Sequence, residues 1–407
     1  MKKIVVLGGA GAMGQVIVRD LAETSGFDKV VIGDFNQQKA NEVKAAVGSK
    51  KVETAFADVK DQDSLAALFR DATIVINSTP YYFNVEVMKA ALQSSCHYID
   101  LGGLFHVTRQ QLELNDDFRE KGLTAVLGMG AAPGMTNIMA ACCVGELDEV
   151  ESIDIIIGCV DFVKVDHPLQ PPYALDTILD EYTKEPMVFE DGEFRAKPPM
   201  SGEIVAHFPA PVGDCRAILT LHSEVATLPI TFQHKGVRHV TFRLGLPTEF
   251  HEKLKFLVDL GFGGSEELKG VPGPFVPRKV LTEMLARFPI PDEEPDDCEV
   301  VRVETKGIKN GKPCTVSLET TVFANKQWKV SCGALDTAVP PSIVANMILT
   351  GEILDRGTLP PEVCVPHAPF FHELAKRSII MRKTLVETVS GQDKSNRTPT
   401  GAGQSRR

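Results

Sequence analysis

No two of the nine cysteines in this 407-residue chain form a C-x-x-C pair, and neither they nor the ten histidines fall at metal-ligand spacing. That argues against catalytic zinc. Most of the cysteines stand in apolar contexts, where a free thiol behaves as a small hydrophobe, so they read as reduced and structural. A basic cluster is missing too. With a net charge of −11 and no clustered Lys/Arg face, neither nucleic acid nor an anionic membrane is an expected partner. No apolar run approaches the roughly 18 residues of a membrane span, and Met1 leads directly into a strand pattern with no room for a signal peptide. The expectation is a cytoplasmic protein. Its 43% apolar content is ordinary for a globular chain, and its length exceeds one ordinary core, which implies two domains.

What is present is concentrated at the start. Lys3 to Leu7 (KIVVL) is a short β-branched run, GGAGAMG follows at once, and Val16, Ile17 and Leu21 then recur with helical spacing. Gly9, Gly11 and Gly14 fit G-x-G-x-x-G: a tight turn, a close backbone approach to a pyrophosphate, and packing of helix on strand. Ala12 and Met13 belong to the same turn, at a helix N-terminus whose free N–H groups face phosphate. A second strand, Lys29 to Ile32, leads to Asp34, about 20 residues past the motif. A carboxylate there accepts from both ribose hydroxyls and repels a 2′-phosphate, so NAD is the expected cofactor rather than NADP.

Strand and helix patterns continue to alternate, as in a parallel, helix-covered sheet. Lys51 to Ala57 leads to Asp58, which reads either as a contact at the adenine edge or as a loop or helix-cap acid. Thr73 to Ile76 ends in NSTPYYFN. This places Asn77, Ser78 and Thr79 at the cofactor crevice, with Tyr81 and Tyr82 either bordering the nicotinamide and substrate or simply packing. His97 to Leu101 carries Asp100 toward the same crevice, and Thr124 to Leu127 is the sixth strand. At GMGAAPGMTN (Gly128 to Asn137) the rhythm stops, and Asn137 is a candidate substrate contact. A long strand from Glu151 to Val163, helices around Ala174 to Tyr182 and from Thr248, and hairpin turns at Asp191-Gly192 and Asn310-Gly311 make residues 135–334 an α+β domain. The acidic Pro291 to Asp297 reads as a solvated loop. An apolar helix then runs through DTAVPPSIVANMILT to Gly351, and a second through Phe371 to Val386, both returning to the first domain. From Ser390 onward the composition is that of disorder. The expected fold class is α/β: a doubly wound Rossmann domain (1–134), the inserted, mostly antiparallel α+β domain, the returning helices (335–389) and a disordered tail (390–407).

The order of parts resembles the saccharopine dehydrogenase superfamily: GGAGAMG at the start, an APGMTN turn after the sixth strand, an inserted sheet domain, and SIVANMILTGEI in a returning helix. The likeness runs from Met1 to about Val389. Where saccharopine reductase and carboxynorspermidine dehydrogenase typically carry DPG, this chain has Ala132-Pro133-Gly134. Together with DLGG (Asp100 to Gly103) and LDEVESI (Leu147 to Ile153), this looks more like lysine 6-dehydrogenase. LHSEVATLP (Leu221 to Pro229) departs from that enzyme. The resemblance implies NAD-dependent hydride transfer at a C–N bond of a basic amino acid, such as oxidative deamination of lysine. Alternatives are a saccharopine- or carboxynorspermidine-type secondary-amine oxidoreductase and a non-catalytic NAD-binding regulator, which would need no polar substrate face. A homodimer through the sheet domain is the family expectation.

Such chemistry requires a base, because an ammonium cannot release hydride and its ordinary pKa is about 10.4. Along Arg216 to His222 the residues alternate, with Arg216, Thr220 and His222 sharing a face with Ile218. His222 stands where the alternation ends, so it is the candidate base, with Glu224 as its partner or as the holder of a substrate ammonium. Arg216 is the candidate clamp for a substrate carboxylate, and Asp100 is the rival base.

Overall fold

The computed structural model describes residues 1–163, 167–270, 273–288 and 293–388. Its first sheet contains β1 (Lys3–Leu7), β2 (Lys29–Asp34), β3 (Val52–Phe56), β4 (Ile74–Asn77), β5 (His97–Asp100) and β6 (Thr124–Val126), all paired in parallel. Their spatial order is β6-β5-β4-β1-β2-β3, so the sheet reverses direction of growth between β1 and β4, and a ligand crevice opens there at the carboxyl ends. Ile4, Val5, Val6 and Leu7 are all buried, because helices cover both faces of the sheet; that is why β1 reads as a continuous apolar run rather than an alternation.

The second sheet comprises β7 (Glu149–Asp161), β8 (Met187–Glu190), β9 (Glu193–Ala196), β10 (Ile204–His207), β11 (Asp214–Leu219), β12 (His239–Gly245), β13 (Asp297–Lys309) and β14 (Lys312–Phe323). The pairs are antiparallel except β12 with β7. Asp191-Gly192 and Asn310-Gly311 close their hairpins with positive φ at both residues, the geometry of a two-residue I′ turn. One face of this sheet is core: Ile153, Ile155 and Ile157 of β7, Phe242 of β12, and Val301 and Val303 of β13 are buried together beneath the helices Met135–Gly145 and Cys332–Thr350.

The end of the chain visits both sheets. The helix Cys332–Thr350 is long and apolar enough to cross a membrane, by length and composition. Here 72% of that stretch is buried inside the molecule, against the helix Ala12–Thr24 among others. β15 (Gly357–Leu359) then extends the first sheet beside β6. The helix expected through Phe371 to Val386 is corrected: helix spans only His367–Ala375, Ser378 takes a positive φ, and β16 (Arg382–Glu387) pairs antiparallel with β14. The open edge of β14 offers hydrogen-bond partners that local helical pattern does not register. The acidic stretch is only partly loop. Glu293, Glu294 and Asp296 are exposed, whereas Asp297 opens β13. The tail at 390–407 lies outside the described residues.

A buried ion pair fastens the returning segment. Asp20, fully buried on the first helix, receives both Nε (2.7 Å) and Nη2 (2.9 Å) of Arg377, and the Ser342 hydroxyl besides. Arg377→Ala leaves that carboxylate uncompensated and is expected to destabilise the protein by about 3–5 kcal/mol, measured by denaturant unfolding. The double replacement Asp20→Asn, Arg377→Met is expected to recover much of the loss.

Candidate active site

The glycine turn forms a cradle that side chains would fill. A Cβ on Gly14 would stand 2.2 Å from the Gly8 carbonyl oxygen and 2.6 Å from the Gly9 Cα, so the first helix rests directly on the turn. The positive φ of the turn falls on Gly8, at 74°, one residue before the first glycine of the fingerprint. No side chain caps this helix, and its N-terminus, with Ala12 exposed and Met13 half-buried, presents N–H groups and the positive dipole end. Asp34 accepts from the N–H of Ala10 (2.9 Å) and of Asn36 (2.9 Å), placing its carboxylate at the rim of the cradle. Phe35 and Phe56, both exposed and 5.8 Å apart, form an aromatic edge beyond it that sequence reading missed. Ser78 and Thr79 pack on Gly8, within 3.1 Å of a Cβ there. These residues fit a nicotinamide dinucleotide.

The second domain brings a buried histidine beside the loop that leaves β5. Ser223 Oγ accepts from Gly103 N–H (3.3 Å) and Thr108 Oγ1 (3.0 Å) and donates to the Leu104 carbonyl (3.0 Å), which straps the segment after β11 to the loop leaving β5. Its neighbours in sequence are the expected pair. His222 Nδ1 lies 2.8 Å from Glu224 Oε2, and Glu224 Oε1 accepts from Thr136 Oγ1 (2.8 Å). The imidazole stacks on Phe242, with centroids 3.6 Å apart and planes within 9°. Its Nε2 points to Glu181 Oε1 at 3.9 Å, and the other oxygen of Glu181 accepts from the Tyr173 hydroxyl. Burial pulls the His222 pKa down, but the Glu224 carboxylate, by charge and hydrogen bond, and then Glu181 leave it raised overall. Burial pushes Glu181 up to about 7. With Nδ1–H held by Glu224, Nε2 is the nitrogen free to exchange a proton.

The surroundings of the other candidates engage most of them within the protein. Asp100 is 1% exposed, and its oxygens accept from Gly102 N–H (2.9 Å), Gly128 N–H (2.8 Å) and Gln111 Nε2. Its lone pairs hold the framework, and none faces the crevice as a base. Asn137 is buried, its Oδ1 on Gly134 N–H (3.0 Å) and its Nδ2 on Glu362 Oε2 (2.8 Å), so it braces the helix start instead of meeting substrate. Asn77 likewise spends its amide inside, on Thr79, Asn84 and Tyr98. Asp58 accepts from Lys60 N–H (2.9 Å), which favours the loop-acid reading. Arg216 is exposed on β11, six residues before His222 in sequence. Tyr81 donates to Asp180 (2.7 Å) and accepts from Lys184 (2.6 Å), joining the β4 loop to the helix Leu175–Thr183. Tyr82 is 63% exposed and packs on Phe83.

Glu181 was legible in principle. On the helix Leu175–Thr183 it stands three residues after Ile178 and beside Tyr182, an acid within an apolar stripe. Glu224→Gln removes the group that most raises the His222 pKa. The imidazole then gives up its proton at lower pH, so its NMR titration is expected to move down. An unmoved midpoint would mean that the pair is not coupled.

Comparison with known proteins follows the same division. Residues 4–126 match the saccharopine dehydrogenase NADP binding domain and residues 130–380 the saccharopine dehydrogenase C-terminal domain. Carboxyaminopropylagmatine dehydrogenase of Synechocystis sp. is 23% identical, over 93% of this chain and 96% of that protein. Carboxynorspermidine synthase of Vibrio alginolyticus is 24% identical, over 90% and 93%. The fold is that of apo saccharopine dehydrogenase (L-Glu forming) from Saccharomyces cerevisiae, with a TM-score of 0.75 at 18% identity, covering 95% of this chain and 100% of that one. A nicotinamide-binding domain joined to a saccharopine dehydrogenase C-terminal domain accounts for nearly all of the described chain, which belongs to the saccharopine dehydrogenase family.

Proposed function

We propose that this protein is an NAD-dependent oxidoreductase that makes or breaks the C–N bond of a secondary amine, with a carboxylated polyamine as the substrate class. The observation that carries the reading is His222, held between Glu181 and Glu224 and strapped by Ser223 to the loop after β5, where the reacting end of a nicotinamide is expected. A regulator that only senses dinucleotide has no use for such a group. The secondary-amine alternative is preferred to lysine deamination because carboxyaminopropylagmatine and carboxynorspermidine enzymes align over almost the whole chain.

In the oxidative direction His222 Nε2 takes the proton from the substrate ammonium, freeing the nitrogen lone pair that expels hydride from the adjacent carbon. Water then adds to the resulting C=N bond and the amine departs, leaving a carbonyl product and completing C–N cleavage. Glu224 keeps the imidazole oriented and stabilises its protonated form, as Thr136 keeps Glu224 in place. Glu181, which burial pushes up to about 7, accepts the proton in turn or holds the ammonium before reaction. In the reductive direction the same groups return the proton to nitrogen. The nicotinamide, when bound, supplies or accepts the hydride. Asp34 supports the choice of NAD: its carboxylate sits at the rim of the cradle, and Phe35 and Asn36 beside it bring no positive charge toward a 2′-phosphate.

His222→Asn is expected to lower kcat by roughly 10²-fold with NAD affinity intact, the scale of a lost general base. An unchanged kcat with a secondary-amine substrate would remove His222 from the chemistry. Asp34→Ser is expected to relax the NAD preference in paired titrations with NAD and NADP; tighter native binding of NADP would refute the assignment.

A further inference from the structure

The helix Leu175–Thr183 carries three consecutive polar side chains near its end, Asp180, Glu181 and Tyr182, all of them buried. Successive residues on a helix point about 100° apart, so the three reach different neighbours. Glu181 turns to His222, with Oε1 3.9 Å from Nε2, and to the Tyr173 hydroxyl. Tyr182 bonds through its hydroxyl to His251 Nδ1, 2.8 Å away on the helix Thr248–Asp259. Asp180 accepts from Arg278 Nη1 (2.6 Å) and Lys184 Nζ (3.1 Å), both in its own domain, and from the Tyr81 hydroxyl (2.7 Å). Tyr81 belongs to the first domain, on the single turn Tyr81–Phe83 that follows β4.

The link from the glycine turn to Tyr81 is short and stiff. Ser78 Oγ donates to the Leu7 carbonyl (2.8 Å), and Thr79 bonds to Asn77 Oδ1 through both its N–H (3.2 Å) and its hydroxyl (2.7 Å). Pro80 restricts the backbone at a φ of −53°, and the Phe83 N–H closes the following turn on its carbonyl (3.0 Å). At the other end, Ser78 and Thr79 wall Gly8: a Cβ there would stand 3.0 Å from the Ser78 carbonyl oxygen and 3.1 Å from Thr79 Cγ2. One run of packed backbone and hydrogen bonds therefore joins the cradle to Asp180, the kind of contiguous network that carries coupling between sites. A hydrogen bond to an ionised carboxylate is the stronger kind. Burial works against the charge on Asp180, but Arg278, Tyr81 and Lys184 leave its pKa lowered.

We infer that Tyr81 is a positioning residue for the acid–base pair: by holding Asp180 it sets Glu181 against His222, and it passes to that pair the restraint a bound dinucleotide places on the glycine turn. This rests on the amine-oxidoreductase reading and adds the side chain that couples the cofactor domain to the proton-transfer groups. The 3.9 Å between Glu181 Oε1 and His222 Nε2 exceeds a hydrogen bond by about 1 Å. A small movement of the helix therefore decides whether a proton passes between them, and a misplacement of about 1 Å costs up to roughly 10²-fold in rate. The groups facing Glu181 are His222 and Glu224 on the segment after β11, Tyr173 before the helix and Asp180 beside it. All of them remain when the Tyr81 hydroxyl is removed, and Arg278 and Lys184 still anchor Asp180 to its own domain. Loss of the cross-domain bond thus frees the helix without dismantling it.

The test compares the full-length protein with Tyr81→Phe, which keeps the ring and removes only the hydroxyl. The Glu181 charge helps to raise the His222 pKa, so withdrawing Glu181 is expected to move the imidazole midpoint down in an NMR titration of Tyr81→Phe. In the native protein NAD is expected to slow amide exchange both at residues 8–14 and across residues 175–183, and in Tyr81→Phe at residues 8–14 alone. Lys184→Met keeps the bond between Tyr81 and Asp180 and is expected to retain the native midpoint and the native protection. With a secondary-amine substrate, Tyr81→Phe is expected to lower kcat by about 10- to 100-fold with NAD affinity intact. The inference is overturned if the midpoint of Tyr81→Phe is native, if NAD fails to protect residues 175–183 in the native protein or protects them equally in the variant, if Lys184→Met reproduces the changes, or if kcat is unaltered. Failure of the functional reading is told apart: native protein that turns over no secondary amine refutes that reading, while the midpoint and the exchange pattern still judge Tyr81.

Discussion

The carboxylate of Asp100 is the interaction on which the crevice depends. It closes the end of β5 by accepting from Gly102 and reaches across to the end of β6 through Gly128, while Gln111 supports it from the helix behind. Burial raises its pKa, and the donors around it oppose that shift. Because these two strand ends are held together, Pro133 sits against Gly102 and Gly103 presents its N–H to Ser223. The position of His222 therefore follows from a residue whose carboxylate is engaged inside the framework. Loss of the Asp100 charge would loosen both the glycine-rich loop and the strap that brings the second domain to the first.

Across the crevice the two domains divide the electrostatic work. The first supplies uncapped N–H groups and a positive helix end, suited to phosphates. The second supplies the carboxylates of Glu181 and Glu224 around His222. A cationic amine is favoured in such a field, and the proton it must lose has acceptors close by. Stacking on Phe242 and bonding to Glu224 restrain the imidazole to one orientation before any ligand arrives.

Some corrections share one cause. Asn77, Asn137 and Asp100 are polar residues at the ends of strands or the start of a helix, where sequence pattern points to a ligand. In the folded chain other backbone and side-chain groups reach them first, and each is satisfied internally. The segment after Ser378 fails differently: Arg382–Glu387 joins a sheet because β14 leaves an edge open, and no local property of those six residues announces that edge.

The glycine turn, the acid that follows β2, the alternation of strand and helix, and the two I′ hairpins were determined by the sequence itself, since each rests on backbone sterics or periodicity within a few residues. The pairing of His222 with Glu224 belongs here as well, being a contact across two residues at a strand end. Only the tertiary structure decided that Glu181 faces His222 over a gap of 41 residues, that the Asp336 and Glu299 carboxyls meet, and that Arg377 returns to Asp20. Those contacts form between elements whose relative placement is set by packing of whole faces, and a charge on such a face acquires its partner only when the faces meet.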